Sequence, residues 1–234
     1  MKNLLAFIIF FAFVHNCLAQ KAVEKKDYII DDISERYQAT VDSNNAETKV
    51  GAYTANRGKK VVAKGQYQNG KRSGIWHFYN YDGKEMQQYD YDNSKLLLEA
   101  PETAQSNIHY RIDYTLTDKD KVSQPIKPGG RYFGYLPYVK LMRRIHDLRG
   151  LDPDQYLVVL RLLVSPLGRL ADCTVELTYR TTGQTATYVV DADVLPESDK
   201  QFIPATFNGQ AVASRVEVLC QPDDDGEINI LQVK

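Results

Sequence analysis

The sequence lacks a charge imbalance and is poor in cysteine. Its 234 residues carry 29 basic and 30 acidic side chains, for a formal net charge of −1. A nearly neutral chain has no overall field to attract nucleic acid or an anionic membrane, so neither is expected as a partner. Cys173 and Cys220 alone follow the N-terminal leader, and two cysteines make no disulfide framework in a chain of this length. Both fall on apolar faces of alternating segments, which favours two buried thiols over a bridge.

Catalytic motifs are missing as well. The sequence contains no Gly-x-Ser-x-Gly, His-Glu-x-x-His, phosphate-binding glycine loop or Cys-x-x-Cys. His77, His109 and His146 lie in different predicted elements without metal-ligand spacing. The acidic run 223–225 is consecutive, whereas an EF-hand needs oxygen ligands at alternate positions, so a hairpin turn is favoured there. We therefore expect no enzymatic activity, no cofactor and no metal; an enzyme with an unfamiliar site is the remaining alternative.

A long apolar run occurs only at the N-terminus. Lys2 precedes the apolar stretch Leu4 to Val14, and Cys17-Leu18-Ala19 places small residues at −3 and −1 before Gln20. This pattern is typical of a cleaved signal peptide over residues 1–19 and predicts a periplasmic or secreted protein. The alternative is an uncleaved anchor, but a spanning helix needs about 20 apolar residues. If the signal is cleaved, we expect no membrane span.

Aromatic residues are concentrated in the middle of the chain. The sequence has 16 tyrosines and one tryptophan, and a weak repeat of about 24 residues runs from Gly58 to Lys95. The predicted strands are Lys60–Tyr67, Ile75–Tyr81 and Glu85–Tyr91. Asn69-Gly70 and Asp82-Gly83 between them predict type I′ hairpin turns. The result is an antiparallel β-meander within residues 20–99.

The segment from Gly65 to Tyr79, followed by Asp82-Gly83-Lys84, resembles MORN-like repeats of the variant type common in exported bacterial proteins. The resemblance covers about one sixth of the chain. It implies a ladder of hairpins that contacts proteins and has no enzymatic activity of its own. The residues that it makes candidates for partner binding are Trp76, Phe78, Tyr79 and Tyr81. Most of these rings are also explained by holding a small sheet together.

The remaining residues predict a linker and a second domain. Residues 100–127 are polar and proline-containing, which indicates a linker. The alternative is an extra strand, because the sequence alternates from Ile108 to Leu116; that strand would close the meander sheet or lie at its edge. Apolar spacing then predicts a helix from Tyr138 to Leu148, ended by Gly150, with Lys140, Arg143 and Arg144 facing solvent. The further predicted strands are Tyr156–Val164, Ala171–Tyr179, Arg215–Cys220 and Glu227–Val233.

Residues 128–234 resemble the C-terminal domain of TonB-type energy transducers. The matching features are Pro128-Gly129-Gly130 before the helix, Gly168 in a turn, and the segment Phe202 to Val212. The resemblance implies an α+β fold, with a helix packed on a three- to four-stranded antiparallel sheet. In that family the last strand binds an extended receptor segment, which makes Arg215, Val216, Glu217 and Val218 candidates for partner binding. Thr185 to Val194 departs from the family's second helix, and a strand or an irregular stretch is expected.

Together these patterns predict an exported, non-enzymatic adaptor of the bacterial cell envelope that binds a protein partner. The alternative is an anchored TonB-type energy transducer. The segment Glu227 to Val233 is expected to pair with the strand Arg215–Cys220 and to block peptide capture at its edge.

Overall fold

The computed structural model describes residues 21–103, 106–223 and 225–231. The predicted signal peptide lies outside these residues. The described part is built mainly from antiparallel strands and has one short α-helix. None of its helices is long and apolar enough to cross a membrane.

Seven strands in chain order form the first sheet, here called the meander. They are β1 (Val23–Ile30), β2 (Ile33–Val41), β3 (Glu47–Arg57), β4 (Lys60–Gln68), β5 (Lys71–Tyr79), β6 (Glu85–Asp90) and β7 (Lys95–Glu99). Each strand pairs antiparallel with the next. The antiparallel meander predicted within residues 20–99 is therefore present, and it begins well before the repeat at Gly58.

Two turns test the predicted hairpin chemistry. Asn69 and Gly70 have φ of 50° and 77°, as a two-residue type I′ turn requires. At the other turn only Gly83 has positive φ, so the type I′ prediction for Asp82-Gly83 is wrong. The Asn80 side chain accepts hydrogen bonds from the backbone N–H groups of Asp82 and Lys84, at 3.0 and 2.9 Å, and stabilises a longer turn in its place.

The second sheet, here called the C-terminal sheet, has the order β12-β11-β10-β15-β16, with β8 also paired to β15. Its strands are β8 (Ile108–Arg111), β10 (Tyr156–Val164), β11 (Leu170–Tyr179), β12 (Thr185–Val189), β15 (Ser214–Pro222) and β16 (Ile228–Ile230). A small third sheet contains β9 (Val122–Ser123), β13 (Ala205–Phe207) and β14 (Gln210–Val212). The prediction of a sheet with three to four strands is thus too low, because β8, β12 and β16 join β10, β11 and β15 to give six strands.

The segment predicted as a linker contributes to the C-terminal sheet. β8 pairs with residues 215–218 of β15, and does not join the meander as its alternation suggested. Ile108 is buried in the core, which explains why this short strand is retained. Thr185–Val189 forms the strand β12, which resolves the two alternatives for that segment.

The helix α1 spans Leu136–Met142 and follows a 3-10 turn at Phe133–Tyr135. The apolar spacing predicted a helix to Leu148, but the chain leaves helical geometry at Arg143 and Ile145 is extended. Arg143 does not face solvent as predicted. Its guanidinium donates to the Ile228 carbonyl at 3.0 Å and to Asn229 Oδ1 at 2.9 Å, so contacts with β16 end the helix early.

One continuous hydrophobic core joins the two large sheets. Phe133 stacks on Phe78 of the meander, with ring centroids 5.7 Å apart, and α1 covers the inner face of the C-terminal sheet. Cys173 and Cys220 are free and buried in this core, as their alternation predicted. Burial raises the pKa of both thiols to about 12, which keeps them protonated and unreactive.

Candidate binding cleft

The four aromatic residues predicted to bind a partner lie mostly inside the molecule. Trp76 and Phe78 are 0% and 1% exposed, and their rings pack against each other 5.9 Å apart. The surface role predicted for these two is corrected: Trp76 packs among rings of the meander, and Phe78 stacks on Phe133 in the 3-10 turn before α1. Tyr79 and Tyr81 are half-buried, and Tyr79 lies on the opposite face of β5.

The four candidate residues on β15 have neighbours on both sides. Arg215 to Val218 pair with β10 on one edge and with β8 on the other. Val216 and Val218 are fully buried. β16 pairs only with residues 220–222, so the expected capping by the C-terminal segment is confirmed for the end of β15, while β8 covers the rest. No edge backbone of residues 215–218 is left for an incoming peptide.

Gln87 of β6 fastens the meander to the Pro128-Gly129-Gly130 turn. Its side-chain oxygen accepts from the N–H groups of Gly129 and Gly130, at 2.8 and 2.9 Å. Its amide donates to the Lys127 carbonyl at 3.0 Å and to Glu99 at 2.6 Å. The side chain is fully buried and makes all four hydrogen bonds; three cross the junction, and the bond to Glu99 stays within the meander.

A buried ion pair crosses the same junction. Arg72 of β5 binds Asp199 at 2.9 Å and donates to the Tyr91 hydroxyl at 3.1 Å, and its guanidinium lies over the Trp76 ring. Burial favours the neutral form of Arg72, but the Tyr91 and Asp199 oxygens outweigh it and raise the pKa above its usual value. Asp199 thereby anchors the loop 194–200 against the meander.

Lys127 also holds that loop in place, through hydrogen bonds from its buried side chain. Its ammonium nitrogen donates to the carbonyls of Asp199 and Gln201, at 2.5 and 3.0 Å, and lies 4.5 Å from the centre of the Phe202 ring. Burial lowers the pKa of Lys127 to about 7, opposed by the pull of Asp199 and helped to a smaller degree by the nearby Arg72 charge. The group is therefore close to half charged at neutral pH.

An open cleft of about 490 Å³ lies between the inner face of the meander and α1. Its floor comes from β1 to β5, one wall from α1, and the other from the loop 194–199 that Arg72 and Lys127 hold in place. The lining mixes rings and aliphatic side chains with a few charged groups, which is the composition usual for binding sites.

The floor of the cleft is a pre-ordered polar cluster among rings. Glu35 accepts from Lys49 Nζ at 2.9 Å and from the Tyr53 hydroxyl at 2.8 Å. The Lys49 ammonium also lies 4.1 Å from the centre of the Tyr37 ring. Burial and the Glu35 charge raise the pKa of Tyr53 well above its usual value, so the hydroxyl stays a donor. The charges of Lys49 and Glu35 in the floor thus neutralise each other.

The helix wall carries charge that is not neutralised. Lys140 and Arg144 both line the cleft and are exposed, and neither forms an ion pair or side-chain hydrogen bond within the described residues. They stand four positions apart on the same side of the helical segment. Asp27 is the one lining carboxylate besides the paired Glu35 and Asp199.

β1 meets the cleft along its edge. Asp27, Tyr28 and Ile29 all line the cleft, although successive strand residues point to opposite faces. The pairing register with β2 shifts between Tyr28 and Ile30, and Ile29 has no partner in β2. β1 is also the outermost strand of the meander, so its backbone borders the cleft without a neighbouring strand among the described residues.

Sequence reasoning missed most of this site. The alternation of β6 would have placed Gln87 on the inner face with Tyr89, and Arg72 stands in the MORN-like segment. Lys140 and Arg144 were correctly predicted to face solvent, but nothing local links them to β1. Asp199 carries no sequence signal, because its partner Arg72 lies 127 positions earlier in the chain and meets it only in the folded molecule.

Among the residues that the structure describes, no group of histidine, cysteine, aspartate and glutamate side chains could hold a metal ion. Comparisons with protein families, with curated proteins and with solved structures find no match for this chain.

Proposed function

We propose that the chain is an exported, non-enzymatic adaptor of the bacterial cell envelope, and that the cleft between the meander and α1 binds its protein partner. The observation that carries this proposal is the cleft itself: an open, ring-lined surface whose helix wall holds two unpaired cations. Buried bonds from Gln87, Arg72 and Lys127 fix its walls, and a pre-organised surface binds at a lower entropic cost.

The resemblances to MORN-like repeats and to the TonB C-terminal domain are part of the proposal. The antiparallel meander and the helix-covered antiparallel sheet are compatible with them. We place the protein in the periplasm or outside the cell on the strength of the signal-like segment 1–19.

The competing proposal is an anchored energy transducer that captures a receptor peptide at β15. The pairing of residues 215–218 with β8 counts against it, because a receptor strand would have to displace β8 first. The mature N-terminus of the native protein separates the two proposals: Gln20 is expected for the adaptor, and an intact Met1 would favour the anchor.

Site-specific photo-crosslinking in the native host tests the adaptor. A crosslinking residue in place of Lys140 should give a discrete protein adduct. The matched control replaces Leu167, which is 84% exposed in a turn of the C-terminal sheet away from the cleft. Adducts of equal yield and pattern at the two positions, or no adduct at either, would contradict partner binding in the cleft.

A further inference from the structure

The chemistry of the cleft narrows the kind of segment that it can hold. Two pairs of floor charges are neutralised within the molecule, since Lys49 pairs with Glu35 and Arg72 pairs with Asp199. Asp27 on β1 is the floor charge without an ion pair among the described residues. Lys140 and Arg144 are the cations left over, and both are exposed on one wall. An occupant gains from placing carboxylates against that wall, because paired charges at a partly desolvated site attract more strongly than in bulk water.

The rings and aliphatic side chains define a second requirement. Tyr28 is 54% exposed at one margin of the cleft and Val194 is 59% exposed at another, while Leu195 and Pro196 line the wall between. Exposed apolar side chains of this size bind apolar groups of an occupant. The occupant must therefore present acidic and apolar side chains together.

The edge of β1 sets the shape of the occupant. Main-chain N–H and C=O groups of an outermost strand bind an extended chain by adding it to the sheet. Successive side chains of an extended chain point to opposite sides, so an alternating acidic and apolar sequence can face Lys140 and Arg144 with one set while the other set meets the rings. A helix or a compact ligand leaves the β1 backbone unpaired.

We propose that the cleft binds an extended acidic segment of a partner protein, added along the free edge of β1 with its carboxylates toward Lys140 and Arg144. This inference rests on the proposed adaptor function and specifies its partner. It places partner binding at the edge of the meander and not at β15, where the TonB-like resemblance suggested it.

Titration with synthetic peptides tests the charge requirement. The probe is an acetylated, amidated octapeptide that alternates glutamate and leucine, and the matched probe replaces each glutamate by glutamine. Binding to the full mature chain is followed by calorimetry and by the fluorescence of Trp76, which contacts the cleft residues Tyr53 and Tyr67 at centroid distances of 5.1 and 5.2 Å. We expect the acidic peptide to bind about tenfold or more tightly than the glutamine peptide, with affinity falling as salt rises.

Charge-reversal variants locate the binding. The double variant Lys140→Glu with Arg144→Glu should bind the acidic peptide about tenfold or more weakly than the unsubstituted protein does. The matched control is Lys59→Glu with Lys119→Glu, which changes the net charge equally at exposed positions outside the cleft. Equal losses in both double variants would overturn the assignment to the cleft. A thermal unfolding midpoint like that of the unsubstituted protein shows that each variant is folded.

Backbone methylation of the probe tests strand addition. Two further peptides carry N-methyl groups at odd or at even positions, which removes the N–H groups from one edge of the extended chain. We expect one of these two peptides to lose binding and the other to retain it. Equal binding of both, or equal binding of a short polyphosphate, would overturn the extended-peptide assignment. If the peptide tests fail but crosslinking at Lys140 yields a protein adduct, the adaptor proposal stands and the extended-peptide inference is wrong. If the crosslinking fails as well, the adaptor proposal and the inference are both wrong.

Discussion

Gly65 shows how a single missing side chain shapes the meander. The indole of Trp76 lies directly over its Cα, so a Cβ at position 65 would stand 2.3 Å from Trp76 Cδ2. Trp76 is fully buried and donates its indole N–H to the Gln66 carbonyl at 3.0 Å, which leaves the ring little freedom to move. The glycine is required by this close approach, whereas the turn glycines are required by positive φ.

Gly65→Ala should therefore destabilise the protein by about 1–3 kcal/mol more than Gly74→Ala. Gly74 is the matched control, because its φ of 64° strains an alanine while its Cβ would meet no atom within 4 Å. That control should cost about 1 kcal/mol through backbone strain alone. Denaturant unfolding followed by Trp76 fluorescence measures both. Equal losses would mean that the indole can shift away.

Lys127 predicts a specific pH dependence of stability. Its pKa is about 7 in the folded protein and about 10.4 in an unfolded chain, so between these values the unfolded state binds more protons. The free energy of unfolding should then rise with pH from 7 to about 8, by at most about 1.4 kcal/mol per pH unit. Below pH 7 both states are charged and the penalty is constant. Above about pH 8 the buried thiols of Cys173 and Cys220 oppose the rise, since an unfolded thiol has a pKa of about 8.5 and theirs is about 12 in the folded protein. Buried tyrosines act only at still higher pH, since unfolded tyrosine titrates near 10.

Lys127→Met should abolish that rise, and urea unfolding at several pH values between 7 and 8 measures it. Met has a similar length and fills the same apolar surroundings, although the carbonyls of Asp199 and Gln201 lose their donor. A slope that persists unchanged in Lys127→Met would show that another group carries it.

At the scale of elements, β8 determines what β15 can bind. Leu219 N–H donates to the Asn107 carbonyl at 2.8 Å, so hydrogen-bonded pairs continue at alternate residues and include His109 opposite Glu217. Four residues thus cover the edge that the sequence made a candidate for peptide capture. Their own alternation predicted a strand but could not identify its neighbour.

His109→Pro should uncover this edge. Proline removes the N–H that pairs with Glu217 and does not fit a hydrogen-bonded strand position. We expect faster hydrogen exchange at Arg215 and Glu217, whose N–H groups face β8, and self-association that grows with concentration, since a bare apolar strand is a template for pairing. His109→Ala is the control, because His109 is exposed and alanine keeps the backbone donor. Unchanged exchange at both of these amides in the proline variant would contradict capping by β8.

At the scale of the whole molecule, the two predicted domains share one hydrophobic core. The aromatic face of the meander is covered by Phe133 and Gly130, and Gln87 and Arg72 fill the polar positions of the junction. Such a junction should make the two sheets unfold together.

Two reporters in the chain test this coupling. Trp76 reports on the meander, and thiol labelling of Cys173 and Cys220 reports on the C-terminal sheet. Their unfolding transitions in urea should coincide in the unsubstituted protein. Gln87→Met leaves the Gly129 N–H buried without an acceptor and the Gly130 N–H with only the Lys127 carbonyl, at 3.1 Å, so it should cost about 1–3 kcal/mol or more and separate the two transitions.

Gln88→Met is the matched control for that variant. Gln88 is the neighbouring residue on the outer face of β6, and its amide donates only to Glu85 within the meander, at 3.2 Å. It should leave the transitions coincident. Coincident transitions in Gln87→Met as well would show that apolar packing alone couples the sheets.

Local chemistry was sufficient for the sequence to determine the strands and several turns. β10 was predicted at its full length, because a nearly uninterrupted apolar run fits a strand buried in the middle of a sheet. The turn at Asn69-Gly70 follows from residues that tolerate positive φ. The burial of Cys173 and Cys220 follows from alternation along a strand with one apolar face.

Tertiary structure alone decided where those elements meet. The length of α1 depends on bonds from Arg143 to β16, the covering of β15 depends on β8, and the cleft depends on Arg72 reaching Asp199. These contacts join residues far apart in the chain. Periodicity reports which face of an element is apolar, but it carries no information about which other element will cover that face. The fold elements could therefore be read from the sequence, and the candidate site could not.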